Sequence, residues 1–255
     1  MALAVAGEAM LKRDRMGIRA LFGVSAMVYG IASLLSPHEG MWLRFAPLGT
    51  PVATVLVWLL AILQVAGGIG LAFRPAAKVS ALVLGAIYGL FALLCIPPVF
   101  MSLKNYLEFI DFGEQLAIAI GAFAVYAALD TNGKRAVRRA NVLRIGLGIC
   151  AVTFALAQIV YLQYTASLVP AWIPPNGVFW TNLTTAAFGL AAIALLIDVK
   201  ARLASRLMGL MLVLFGVLVW VPRMAVHPAA PGLWTEFSSN YLIAAAALAV
   251  AEIVK

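Results

Sequence analysis

The sequence predicts an all-α fold, a polytopic bundle of eight transmembrane helices, and three observations predict it. The first is composition: 64% of the 255 residues are hydrophobic and 11% are charged, where soluble domains carry roughly 45–50% and about 25%. A soluble fold could not assemble a polar shell from that supply, whereas a bilayer is itself an apolar solvent. The second is spacing, since apolar runs close to the 20 or so residues needed to cross roughly 30 Å of hydrocarbon follow one another between turn formers. The third is that basic residues gather in alternate gaps.

Taken in order, residues 1–16 run MALAVAGEAM and then turn basic at Lys12, Arg13 and Arg15. A secretory signal places its charges before its apolar core, so this order reads as a cytoplasmic lead-in. The first span, about 17–35, is entered through Arg19 and closed by Pro37. The second, about 52–73, follows Pro51 and ends at the Arg74–Pro75 break, and the third, about 77–97, stops at Pro97 and Pro98. The fourth, about 113–129, is short and begins at Glu114; with it the first four-helix unit, 17–129, is complete. Residues 130–143 form a basic connector with Asn132 and Gly133 as turn formers. The second unit, 144–255, repeats the plan with spans at about 144–165, 178–197, 202–221 and 238–254, divided by Pro170, Pro174, Pro175, the Lys200–Arg202 turn and Pro222.

With an even number of spans the termini share a side. That side carries Arg19, Arg74, Lys78, Lys134, Arg135, Arg138, Arg139, Arg144, Lys200, Arg202 and Arg206 besides the basic lead-in, while the other keeps Arg44, Lys104 and Arg223. The positive-inside rule then puts both termini and the connector in the cytoplasm of a cell whose inner (plasma) membrane holds the chain. It also accounts for the net charge of +8, because Lys and Arg anchor helices at the anionic inner leaflet. No basic stretch is interleaved with aromatics on a soluble module, so nucleic acid is not an expected partner.

The halves also align with each other. Laying GIGLAFRPAAKVSALVLG on AIALLIDVKARLASRLMG sets Lys78 on Arg202, Gly85 on Gly209, Phe91 on Phe215 and Pro98 on Pro222. A slip of a residue or two sets Arg19 on Arg144 and Glu114 on Asn240. Two four-span units must insert in the same orientation, related by an axis along the membrane normal.

Residues 167–224, SLVPAWIPPNGVFWTNLTTAAFGLAAIALLIDVKARLASRLMGLMLVLFGVLVWVPRM, carry a P-x-W-x-P run, an aromatic, a small-residue helix, a basic turn and a helix ending in Pro-Arg. This pattern resembles the DoxX-like (DoxD-like) family of four-span membrane proteins, and the first half resembles it in layout through GGIGLAFRP and Ile96-Pro97-Pro98. Many relatives place a histidine shortly before the final Pro-Arg, where this chain has Trp220. The resemblance implies a helical bundle serving as an accessory or anchoring subunit of a quinone- or thiol-linked redox assembly, with membrane or periplasmic redox proteins as partners and no independent catalysis.

The residues themselves bear on function as follows. GGIG at 67–70 lies inside a span with no preceding strand, so it serves helix packing rather than phosphate binding. Cys95 and Cys150 fall toward opposite ends of their spans, so no disulfide is expected. Trp42, Trp172, Trp180, Trp220 and Trp234 all fall near the non-cytoplasmic boundary, where Glu39, Glu108, Asp111, Glu114 and Glu236 also gather. Glu114 reads as a helix-start carboxylate or as a proton or headgroup contact. His38 and His227 are weak metal candidates without ligand spacing. Gln64 and Gln158 sit within spans, where an amide must find a partner. Together Gln64, Tyr88, Glu114, Gln158, Tyr161, Trp180, Trp220, Arg223 and Asn240 form the candidate ligand-binding set, for a lipid-like molecule such as quinone held or moved between the halves. No haem or flavin motif and no hydrolytic triad is present, and no charge sits mid-span as an ion-coupled transporter would need. A homo-oligomer is compatible with all of this.

Overall fold

The computed structural model describes residues 2–37, 40–130 and 133–254, with side chains from residue 16 in the first stretch and from residue 136 in the third. Its elements are α1 (Ala2–Leu35), a 3₁₀ segment (Gly40–Leu48), α2 (Thr50–Gly70), α3 (Arg74–Met101), α4 (Tyr106–Leu129), α5 (Gly133–Val160), α6 (Leu162–Leu168), α7 (Gly177–Ile197), α8 (Ala201–Phe215), a π turn (Gly216–Trp220), α9 (Val221–Val226) and α10 (Pro231–Ile253). The described residues contain no strand.

Local chemistry sets the ends. Proline stands in the first turn of α2, α3 and α10, where a missing N–H costs nothing. The Asn105 and Asn176 side chains accept hydrogen bonds from the Leu107 and Phe179 amides and so cap α4 and α7. Between α7 and α8 the chain reverses within three residues, two of them, Asp198 and Lys200, in the left-handed region at φ 60° and 49°. Downstream, Pro222 can neither donate to the helix nor tolerate the carbonyl four residues back, and the wider π turn absorbs that conflict before α9 resumes.

Among the described residues seven helical stretches are long and apolar enough to cross a membrane: Met16–Leu35, Thr50–Gly70, Arg74–Met101, Tyr106–Leu129, Ala136–Val160, Gly177–Ile197 and Ala201–Val226. The chain is therefore a multi-pass helical protein in contact with lipid, and large apolar side chains such as Leu93 and Leu190 face outward, 63% and 69% exposed. The eighth expected segment, α10, stands apart on composition. It carries Glu236, Ser238, Ser239, Asn240 and Glu252. The reason is its position: α10 packs against α1, α4 and α8, so its neighbours are protein rather than lipid.

Several boundaries differ from the expected ones. α4 starts at Tyr106 rather than about 113 and α10 at Pro231 rather than about 238, so neither is short, and Glu114 lies within α4, whose N-cap is Asn105, and is not a helix-start carboxylate. The basic connector is already helical at Gly133, so it forms the opening turns of α5. The fifth span ends at Val160 rather than running to about 165, because the chain breaks at Tyr161 and restarts as the short α6.

Helix neighbours recur in a pattern. In the first half α1 packs on α2, α2 on α3 and α3 on α4; in the second, α5 packs on α7, α7 on α8 and α8 on α10. Across the middle α1 meets α10, α5 meets α4, and α4 meets α10. These crossings use small residues: a Cβ added at Gly121 of α4 would lie 2.7 Å from the Cα of Ala246 in α10 and 2.9 Å from the Phe22 ring of α1. At the α1–α2 crossing, a Cβ on Gly23 would sit 2.7 Å from the Gly68 carbonyl oxygen. Close backbone approach is how helices gain dispersion energy where lipid removes the hydrophobic drive.

Candidate functional site

At the end of the bundle away from the basic connector, α4, α5, α6, α7, α8, the π turn and α10 enclose a cavity of about 770 Å³. That volume lies in the range of small-molecule sites, roughly 300–1,000 Å³. Its walls are aromatic and aliphatic: Phe154, Tyr161, Tyr164, Trp180, Phe188, Phe215 and Trp220 all line it, with Leu212, Leu218 and Ile243. Ring contacts hold the inner wall together, Phe188 lying 5.6 Å from Phe154 and 6.4 Å from Phe215 between centroids.

The polar groups are few and unevenly supplied with partners. The Gln158 amide oxygen accepts hydrogen bonds from the hydroxyls of Thr184 (3.0 Å) and Thr185 (2.9 Å), which ties α5 to α7. Asn240, buried on α10, donates through its amide to the Leu212 carbonyl at 2.7 Å. The Thr181 hydroxyl is buried with no partner among the described residues. Asp111, Glu114 and Glu236 supply three carboxyls, and no Lys, Arg or His among the described residues lines the cavity. Asp111 accepts a hydrogen bond from Arg44 at 2.8 Å, while Glu114 and Glu236 have no hydrogen bond or ion pair among the described residues.

Six of the nine sequence-predicted ligand residues, Glu114, Gln158, Tyr161, Trp180, Trp220 and Asn240, come together on this cavity. The other three do not line it. Gln64 on α2 is fully enclosed, and neither atom of its amide has a partner among the described residues. Tyr88 on α3 is also fully enclosed, with its ring 6.0 Å edge-on to Tyr29 and its hydroxyl unpartnered. Arg223 on α9 lies over the Trp220 ring, 5.9 Å from its centroid, outside the lining. His227 is exposed at the end of α9, and no group of three metal-ligating side chains occurs among the described residues. His38 and Glu39 lie outside the described residues. Both cysteines are free and buried. The cavity therefore belongs mainly to the second half with α4 contributed by the first; it does not lie midway between two equivalent amides.

In the first half the space beside Phe91, at the matching place, is occupied. The 3₁₀ segment folds into the bundle: Trp42 packs edge-on to Phe91 at 5.1 Å, Phe45 lies 6.4 Å from Phe91, and Met41 touches Cys95. Arg44, between Trp42 and Phe45 in sequence, reaches α4, donating to Glu108 at 2.6 Å and to Asp111 at 2.8 Å. Burial works against the Arg44 charge, but its hydrogen bonds to the two carboxylates outweigh it and hold its pKa above the ordinary arginine value. In the second half the corresponding connection, residues 161–176, runs around the rim instead. There Trp180 donates through its ring nitrogen to the Pro174 carbonyl at 2.9 Å, and Trp172 stands exposed.

Comparison with protein-family models, with curated proteins and with solved structures finds no match to this chain.

Sequence reasoning missed Tyr164, Thr181, Thr184 and Thr185. The threonines had a signal, two of them one helical turn after Thr181 on the face that carries Trp180, but a hydroxyl in a span satisfies itself on its own helix so often that none stands out. The assembled site offers apolar walls with a few carboxyl, amide and hydroxyl groups among them, an arrangement suited to holding an amphipathic molecule.

Proposed function

We propose that this chain is an inner-membrane protein of eight spans, built from two four-helix units, that binds an amphipathic, lipid-sized molecule in the cavity of its second half. The single observation that carries the reading is the cavity of about 770 Å³, lined mainly by apolar side chains with a few carboxyl, amide and hydroxyl groups. Counting α10 as the eighth span rests on its 23 residues, about 35 Å of helix at 1.5 Å per residue, and on its enclosure by α1, α4 and α8. The recurrent helix neighbours support the duplication, and burial refines its register. Gln115 and Asn240 are both buried on α4 and α10, so Asn240 pairs with Gln115 rather than with Glu114. Phe112 and Phe237 then coincide, and Asp111 falls on Glu236. The concentration of basic residues at the connector end supports cytoplasmic termini.

Quinone is the neutral ligand class the DoxX-like resemblance suggests, and residues 167–224, which carry that resemblance, supply much of the cavity wall. The same resemblance favours a second reading, an accessory subunit of a redox assembly, and the exposed Trp172 on the cavity rim offers such a partner an anchor. One experiment addresses both. Native mass spectrometry of protein extracted from its own membrane in mild detergent should show a retained small molecule, and Ala157→Trp, which fills the cavity, should lose it. A wild-type protein that carries nothing, alone or with partners, would sink both readings.

A further inference from the structure

Resting on the reading of the cavity as a ligand site, we infer that its ligand is an amphiphilic cation: an aromatic or branched apolar body bearing one amine, quaternary ammonium or similar positive head. The molecule contains a template for that ligand. In the first half the space beside Phe91 is filled by the chain's own 3₁₀ segment, which brings in two aromatic rings, Trp42 and Phe45, and on the same segment a guanidinium, Arg44, that pairs with Glu108 and Asp111. In the second half Phe215, the repeat counterpart of Phe91, faces the open cavity, and Glu236, the counterpart of Asp111, lines the same cavity with no hydrogen bond or ion pair among the described residues. The wall is kept and the carboxylate is kept; the apolar-plus-cation insert is missing.

Electrostatics points the same way without the repeat. Among the described residues three carboxyls and no basic side chain line a cavity rich in aromatic faces. A neutral quinone would leave Glu114 and Glu236 unpaired at the edge of a low-dielectric site, whereas a cation would partner them and lie against ring faces whose quadrupole attracts positive charge. The unpartnered Thr181 hydroxyl adds an acceptor for an N–H on such a head. Arg44 cannot supply the charge from within, because Glu108 and Asp111 already engage it.

The test uses the full chain in lipid nanodiscs, with tetraphenylphosphonium as the cationic probe and triphenylphosphine oxide as a neutral analogue of similar shape, measured by equilibrium dialysis against empty discs. The expected result is saturable binding of the cation, weakened about tenfold or more by Glu236→Gln and largely restored by Glu236→Asp, with the neutral analogue far weaker. Equal binding of the two probes, indifferent to Glu236→Gln but lost in Ala157→Trp, would overturn the cationic assignment and leave the cavity reading standing. Saturable binding of neither probe, or binding that Ala157→Trp does not disturb, would overturn both.

Discussion

At the scale of single residues, the side chain that carries most structural consequence is Arg144. It is buried where α5 passes the end of α7, donates to the Leu195 carbonyl and, at 3.4 Å, to Leu196, and lies 3.3 Å from an Asp198 carboxylate oxygen. Those carbonyls belong to the last turn of α7, which has no N–H donor of its own left to satisfy them, and a cation there also answers the negative end of the helix dipole. Arg144→Met should therefore cost about 1–3 kcal/mol, the penalty for buried acceptors left unpaired, and should lower the melting temperature of the purified protein. Arg144→Lys should recover only part, since an ammonium lacks the planar fork that serves the carbonyls and the carboxylate together. Full stability in both variants would remove Arg144 from this role. In the sequence the same residue is legible only as a topological charge aligned with Arg19. Its partners lie more than fifty residues away, and no local pattern announces a cap supplied by another helix. Glu236 shows the converse: as an isolated acid near the outer boundary it looks unremarkable, and its meaning comes from the aromatic walls that folding places around it.

At the scale of elements, hydropathy and prolines made most of the spans legible, because a lipid-facing helix has to be apolar along its length. What they obscured follows from the same physics. A helix enclosed by protein escapes that requirement, which is why α10 can carry a run of Ser238, Ser239 and Asn240 and read as the weakest span although it is the most enclosed. The break at Tyr161 and the route of residues 161–176 were not legible either, since a loop of prolines and aromatics has no periodicity to read. Yet these residues run along the cavity wall, whereas the 3₁₀ segment of the first half packs on Phe91. The small-residue contacts were legible as a tendency and acquire specific partners only in the fold. Gly121 is the sharpest case, with no room for a side chain between Ala246 and Phe22. Gly121→Leu should prise α4 from α10 and α1, giving a protein that unfolds at lower temperature and is cleaved faster by protease in detergent. Gly89, where an added Cβ meets nothing, supplies the control: Gly89→Ala should be silent in both assays. Equal behaviour of the two variants would show that the α4–α10 crossing is not a tight one.

At the scale of the whole molecule, the two ends are chemically unlike, and that asymmetry relates topology to the site. The described residues of the connector end hold Arg19, Arg74, Lys78, Arg138, Arg139, Arg144, Lys200, Arg202 and Arg206, while the cavity end concentrates carboxyls and most of the tryptophans. Ion pairing at the connector end is local and serves placement: Asp130 accepts from Arg139 at 2.5 Å and lies 3.7 Å from the Lys78 ammonium, joining the ends of α3 and α4 to the start of α5. The hydrogen bond from Arg139 holds the Asp130 carboxyl below its ordinary range. On the proposed topology, with the basic end in the cytoplasm, the cavity lies toward the other side, because α5 starts where the basic residues are held and α4 and α10 present Glu114 and Glu236 toward their opposite ends. A reporter fused after Ala136 should accordingly register cytoplasm, and one inserted at Ala229, between α9 and α10, should register the opposite side. The second position does not by itself test α10, because seven spans ending at α9 would leave Ala229 outside as well but would strand the C-terminus there. A third reporter at the C-terminus separates these cases, since a cytoplasmic signal means eight crossings and a cavity open to the outside, and an external signal means that α10 returns without crossing. In that second case Glu236 would lose its place at the mouth, and the assignment of a cationic ligand would fall with it.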